Sequence, residues 1–72
     1  MEKQFQKKLK AFGVRLKTLR KAKGLSQLDI EIECGINRTE VSRIENGQKN
    51  IELHTIFKLA TALEIEIKDF FS

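Results

Sequence analysis

A chain of 72 residues has room for one domain and one small core. With 40% hydrophobic and 33% charged residues, it has the make-up of a folded globular domain and not of a disordered segment. No apolar run approaches the roughly 20 residues of a membrane span, and the charged N-terminus lacks the apolar stretch of a secretion signal. The lone cysteine, Cys34, cannot form an internal disulfide, so a cytoplasmic setting is expected.

The absence of proline and the low glycine content favour helices with short joints, hence an all-α fold. No repeat or linker divides the chain, and residues 1–72 read as a single domain. The net charge of +4 is unevenly placed. Residues 1–24 hold nine Lys or Arg against Glu2, whereas acidic residues outnumber basic ones in the rest of the chain. A basic half and a pI near 9.5 fit a polyanionic partner, although a solvated lysine-rich helix gives the same balance.

The first helix is expected from Lys3 to Ala22. Phe5, Leu9, Phe12, Leu16 and Leu19 recur at steps of three and four, which makes one apolar stripe, and lysines and Arg15 occupy the other faces. Gly24 ends it. The second helix is expected over Gln27–Cys34 and the third over Arg38–Asn46. Ser26 and Asn37 are N-cap residues, with acidic Asp29 and Glu40 three positions on. These pairs fall short of full capping boxes, which use Glu or Gln. Gly35 and Gly47 end the two helices. Two capped helices with so short a joint have the form of a helix-turn-helix.

In the third helix Val41 and Ile44 make an apolar face. Arg38, Ser42 and Asn46 line up on the other side, with Thr39 and Arg43 alongside. A small, polar and cationic outer face suits the major groove, because Arg can bond both guanine acceptors and a Thr methyl can touch a thymine methyl. A wet surface helix has the same periodicity.

A polar loop, Gln48–Asn50, leads to a fourth helix over Leu53–Leu63, whose apolar stripe is Leu53, Ile56, Phe57, Ala60 and Leu63. A short last helix is expected over Ile67–Phe71. Ile65, Ile67, Phe70 and Phe71 exceed what a chain end usually hides. Part of this group is expected to close the core and the rest to form a dimer contact.

The run GLSQ at 24–27, Gly35–Ile36, the helix after Asn37, SRIENG at 42–47 and KLATALEIEIKDFF at 58–71 resemble the Cro/C1-type, or XRE, helix-turn-helix family over about residues 13–71. The resemblance implies a compact five-helix, lambda-repressor-like bundle that binds double-stranded DNA, typically as a homodimer. Gln27 matches a glutamine that holds a DNA phosphate and braces the recognition helix. Arg38, Thr39 and Arg43 match base-reading positions, and Ser42 shares their face. Asn46, Lys49 and Asn50 match positions that follow the phosphate backbone. Arg20 and Glu45 match a salt bridge between the first and third helices.

Some residues depart from the family pattern. Glu31 stands where a small Ala is usual, and is expected to point outward or to find a cation. Leu28 and Ile32 occupy usually polar positions. Glu40 lies near the DNA face, Glu52 replaces a Ser or Thr cap, and Glu64 replaces a helix-ending Gly.

No nucleophile–base pair or phosphate-cradling glycine loop is present, and His54 stands without other zinc ligands. Neither catalysis nor a cofactor or metal is therefore expected. The sequence reads as a DNA-binding transcriptional regulator with no membrane attachment. The alternative is an antitoxin-type module that masks a toxin partner, using Leu28, Ile32 and Phe71, with DNA binding secondary.

Overall fold

The apolar stripe of the N-terminal third winds into α1 (Glu2–Ala22) in the computed structural model, which describes residues 2–72. Leu9, Phe12 and Leu16 are buried, whereas Phe5 is largely exposed because the first two turns of α1 run beyond the helices it packs on. Next come α2 (Gln27–Cys34), α3 (Arg38–Glu45) and α4 (Leu53–Leu63). α1 packs on α3, and α2 packs on both α3 and α4. One core cluster joins them, built from Phe12, Leu16, Ile30, Ile36, Val41, Ile44, Leu59, Ala60, Leu63 and Phe70.

The caps explain the short elements. The Ser26 hydroxyl accepts from Asp29 N at 3.0 Å, and the Asp29 carboxylate accepts from Ser26 N at 2.7 Å. The box is therefore complete, and the shorter Asp side chain reaches as Glu would. Gly35 ends α2 at φ 79, a left-handed conformation that suits glycine. The Asn37 side chain accepts from Thr39 N at 2.7 Å to start α3. That helix stops at Glu45, one residue before the expected end, with Asn46 as its C-cap. Glu52 offers α4 no side-chain bond. Glu64 ends it at φ 57, at a cost of about 1–2 kcal/mol for a residue with a Cβ.

The expected fifth α-helix is instead a 3-10 helix, Ile67–Phe71, so the bundle has four α-helices among the described residues. Five residues are too few for a stable α-helix, and the tighter turn is held locally. The Asp69 carboxylate accepts from Glu66 N at 2.9 Å, and Arg15 Nε donates to the Asp69 carbonyl at 2.9 Å. This fixes the chain end to α1.

Phe70 belongs to the core and not to an intermolecular contact. It is 3% exposed, and its ring centroid lies 4.9 Å from that of Phe12. Phe71 also leans on Phe12, at 5.7 Å, but stays exposed. Ile65 and Ile67 are half-buried against the core. In α4 the apolar stripe is wider than its neighbours cover: Leu53 and Phe57 are 71% and 59% exposed.

Candidate nucleic-acid interface

α3 is held at both ends. At its C-terminal end α1 comes close enough to exclude any side chain at Gly13. A Cβ there would lie 2.5 Å from the Ile44 carbonyl oxygen and nearer still to that of Glu45. Gly47, at φ 69, has the same closeness on the other side, since a Cβ would lie 2.9 Å from Lys10 Cα. The contact of Lys10 with Gly47 sets one edge of α1 beside the end of α3. Helical spacing from Gly13 puts Lys17 on that edge with Lys10.

Side chains complete the clamp. Arg20 Nε donates to Glu45 Oε2 at 2.7 Å and Nη2 to Oε1 at 3.0 Å, a two-pronged pair with both residues 6% exposed. Arg20 Nη1 also donates to the Leu25 carbonyl at 2.8 Å. The bond to Glu45 raises the guanidinium pKa above its ordinary value, against the opposing effect of burial. Gln27 Nε2 donates to Glu45 Oε1 at 3.1 Å. Glu45 therefore joins α1, the start of α2 and the end of α3. Among the described residues, no buried side-chain nitrogen or oxygen lacks a partner.

At the other end of α3, Arg38 N donates to Glu31 Oε1 at 2.8 Å. The glutamate departing from the family pattern finds no cation among the described residues, but the first amide of α3. The sequence gives a charge at a packing position. It does not give a carboxylate that bridges seven residues to an amide, because that depends on how α2 and α3 cross.

With both ends fixed, the outer face of α3 is free. Arg38, Thr39, Arg43 and Asn46 are exposed, and Ser42 is half-buried beside them. Asn50 is exposed in the following loop. Lys49 is half-buried, with Nζ 3.7 Å from Glu40 Oε2. Glu40 thus meets Lys49 instead of closing a box with Asn37. Gln27 is half-buried and already engaged with Glu45. The residues expected to read bases or follow phosphates lie on α3, in the loop after it and at the start of α2. Ile65, Ile67 and Phe71 lie at the chain end, on the 3-10 helix and the turn before it. Cys34 packs partly against the core and His54 is exposed. Among the described residues no helix is long and apolar enough to cross a membrane.

Comparison with known proteins places this geometry. A family model described as Helix-turn-helix matches residues 16–70. The control protein C.MunI of a Mycoplasma species is 40% identical over 62 residues, covering 85% of this chain and 84% of that protein. The control protein C.BamHI of Bacillus amyloliquefaciens is 37% identical over 59 residues, covering 81% and 73%. Among solved structures, the restriction-modification controller protein C.AhdI of Aeromonas hydrophila superposes with a TM-score of 0.86 and 48% identity, covering 89% of this chain and 97% of that one. The restriction-modification controller C.Esp1396I, solved as a tetramer with its natural 35 base-pair operator, superposes with a TM-score of 0.80 and 27% identity over 88% of this chain and 83% of that one. A bundle whose third helix is clamped at both ends and bare on its outer side, matched by that model over residues 16–70, belongs to the helix-turn-helix family of DNA-binding regulators.

Proposed function

We propose that this protein is a sequence-specific transcriptional regulator that binds double-stranded DNA as a homodimer, in the manner of a restriction–modification controller. The observation that carries the reading is the exposed row Arg38, Thr39, Arg43 and Asn46 on a helix fixed at both ends. A rigid polar helix can enter the major groove without first paying the entropy of ordering.

Arg38, Thr39, Ser42 and Arg43 read base edges in this account. Asn46, Lys49 and Asn50 follow the phosphates, which set register and not sequence. Gln27 acts first as a brace on Glu45 and lies at the phosphate edge. The homodimer forms through the apolar face of Leu53 and Phe57, one helical turn apart on α4, continued by Ile65 and Ile67. Phe57, Ile65 and Ile67 line one shallow groove. Such a dimer addresses two half-sites about 34 Å apart. The protein acts in the cytoplasm and carries out no catalysis.

Mobility-shift titrations test the reading. Arg43→Ala is expected to cost about 1–3 kcal/mol on a selected site and to relax base choice at one position. Equal loss on selected and random duplexes would remove Arg43 from base reading. Affinity is also expected to fall steeply with salt, and a flat response would count against phosphate contact.

A second reading rests on Leu28 and Ile32, which stay exposed on α2 one helical turn apart. It makes the protein an antitoxin that covers a toxin with this patch. Co-expression with a candidate toxin tests it: Leu28→Ser with Ile32→Ser would free the toxin while leaving DNA binding unchanged.

A further inference from the structure

Glu31 holds the N-terminal end of the recognition helix in an unusual way. Its Oε1 accepts from Arg38 N at 2.8 Å, and Asn37 accepts from Thr39 N at 2.7 Å. The first two amides of α3, which ordinarily lack helical partners, are therefore both engaged by side chains. Glu31 takes part in no ion pair among the described residues, whereas Glu40 has Lys49 and Glu45 has Arg20. A carboxylate that pairs with no cation among the described residues thus sits at the amide of Arg38, the first residue of the exposed row.

We infer that Glu31 is a specificity-determining residue, whose carboxylate keeps DNA phosphates away from the N-terminal end of α3 and reserves that end for base edges. The inference rests on the DNA-binding reading above. Unoccupied amides at a helix N-terminus attract phosphate, as does the positive end of the helix dipole. An attraction of that kind is indifferent to sequence and strengthens binding to any duplex. Glu31 weakens it in two ways, by engaging the Arg38 amide and by adding a like charge. The repulsion acts on any docking arrangement that brings a phosphate to this end of α3. It is much weaker in the arrangement that presents base edges there. Glu31 therefore weakens random binding more than operator binding, and specificity is the difference between the two.

Two variants separate charge from shape. Glu31→Gln keeps an oxygen that accepts from Arg38 N and removes the charge, and Glu31→Ala removes both. Affinities of the full chain and of both variants are measured on a selected operator and on a random duplex, at low and at moderate salt. Thermal melts establish that each variant is folded. Both variants are expected to tighten random-duplex binding about two- to fivefold at low salt, in line with one charge at a helix N-terminus. Operator affinity is expected to change less, so that the ratio of the two falls. The gap should narrow as salt rises. An unchanged ratio overturns the inference, as does parallel weakening on both duplexes, which would make Glu31 a structural cap. Glu31→Gln behaving as wild type while Glu31→Ala does not would assign the effect to the hydrogen bond and overturn the role of charge. A wild-type protein without preference between operator and random DNA would overturn the functional reading itself, and is visible before any variant is measured.

Discussion

Gly13 lies directly against the carbonyl oxygen of Glu45, with no room for a methyl group between α1 and the end of α3. The neighbouring atoms are backbone, which cannot swing aside as a flexible side chain would. Gly13→Ala gains about 1 kcal/mol of helix propensity but must push the two helices apart. Overpacking typically costs about 1–3 kcal/mol, and the upper end is expected here. A thermal melt should fall by roughly 4–8 °C per kcal/mol of net loss for a domain of this size. A variant as stable as wild type would show that the helices do not approach so closely.

The Arg20–Glu45 pair is buried at the same crossing, so removing one partner leaves the other charge without compensation. Glu45→Ala is expected to lower stability by about 3–5 kcal/mol. It also releases Gln27. Gln27→Ala leaves the Arg20–Glu45 pair intact and should cost about 1 kcal/mol. Denaturant titration of the two variants checks the ordering, and equal losses would contradict it.

The apolar groups of α4 and of the chain end differ in what they do. Phe70→Ala should destabilise the monomer by about 3–5 kcal/mol, because the ring is packed against Phe12. Phe57→Asp should leave the fold intact and shift sedimentation from dimer to monomer, since the ring is already solvent-facing within one chain. Phe71→Asp should leave the dimer in place. A dimer lost with Phe71→Asp and kept with Phe57→Asp would move the interface to the chain end.

The capping box of α2 makes stability depend on pH. Asp29 accepts from Ser26, and this backbone bond holds its pKa below the ordinary value of 3.8. The folded state thus binds its proton less readily than the unfolded state. The contribution is present above the ordinary value and is lost as pH falls through the lowered one. The melting temperature of Asp29→Asn should lie below that of wild type at neutral pH. The difference should shrink as the pH drops below 3.8. A difference that is constant across that range would show that charge is not involved.

Helix bounds were legible because caps and glycines mark them: α2 and α4 begin and end where Ser26, Gly35, the apolar stripe and Glu64 indicate. The Arg20–Glu45 pair followed from the family resemblance, and the outer face of α3 from its periodicity. What stayed hidden depends on tertiary placement. Phe70 and Phe71 are adjacent and chemically identical, and their burial differs because successive side chains of a 3-10 turn point about a third of a turn apart, so that only one ring faces the core. Leu53 and Phe57 fit the stripe of α4 equally well as core or as surface, since periodicity fixes a face but not what covers it. Glu31 reads as an anomaly until the crossing of α2 and α3 brings Arg38 N to its carboxylate.

Selection of bound sequences from a pool of random duplexes tests most directly whether the free face of α3 reads DNA as part of a dimer. The expected product is a split palindrome with half-sites about 34 Å apart, in which Arg43→Ala loses the preference at one position of each half-site. A pool that shows no enrichment, or a preference that Arg43→Ala leaves intact, would contradict the account.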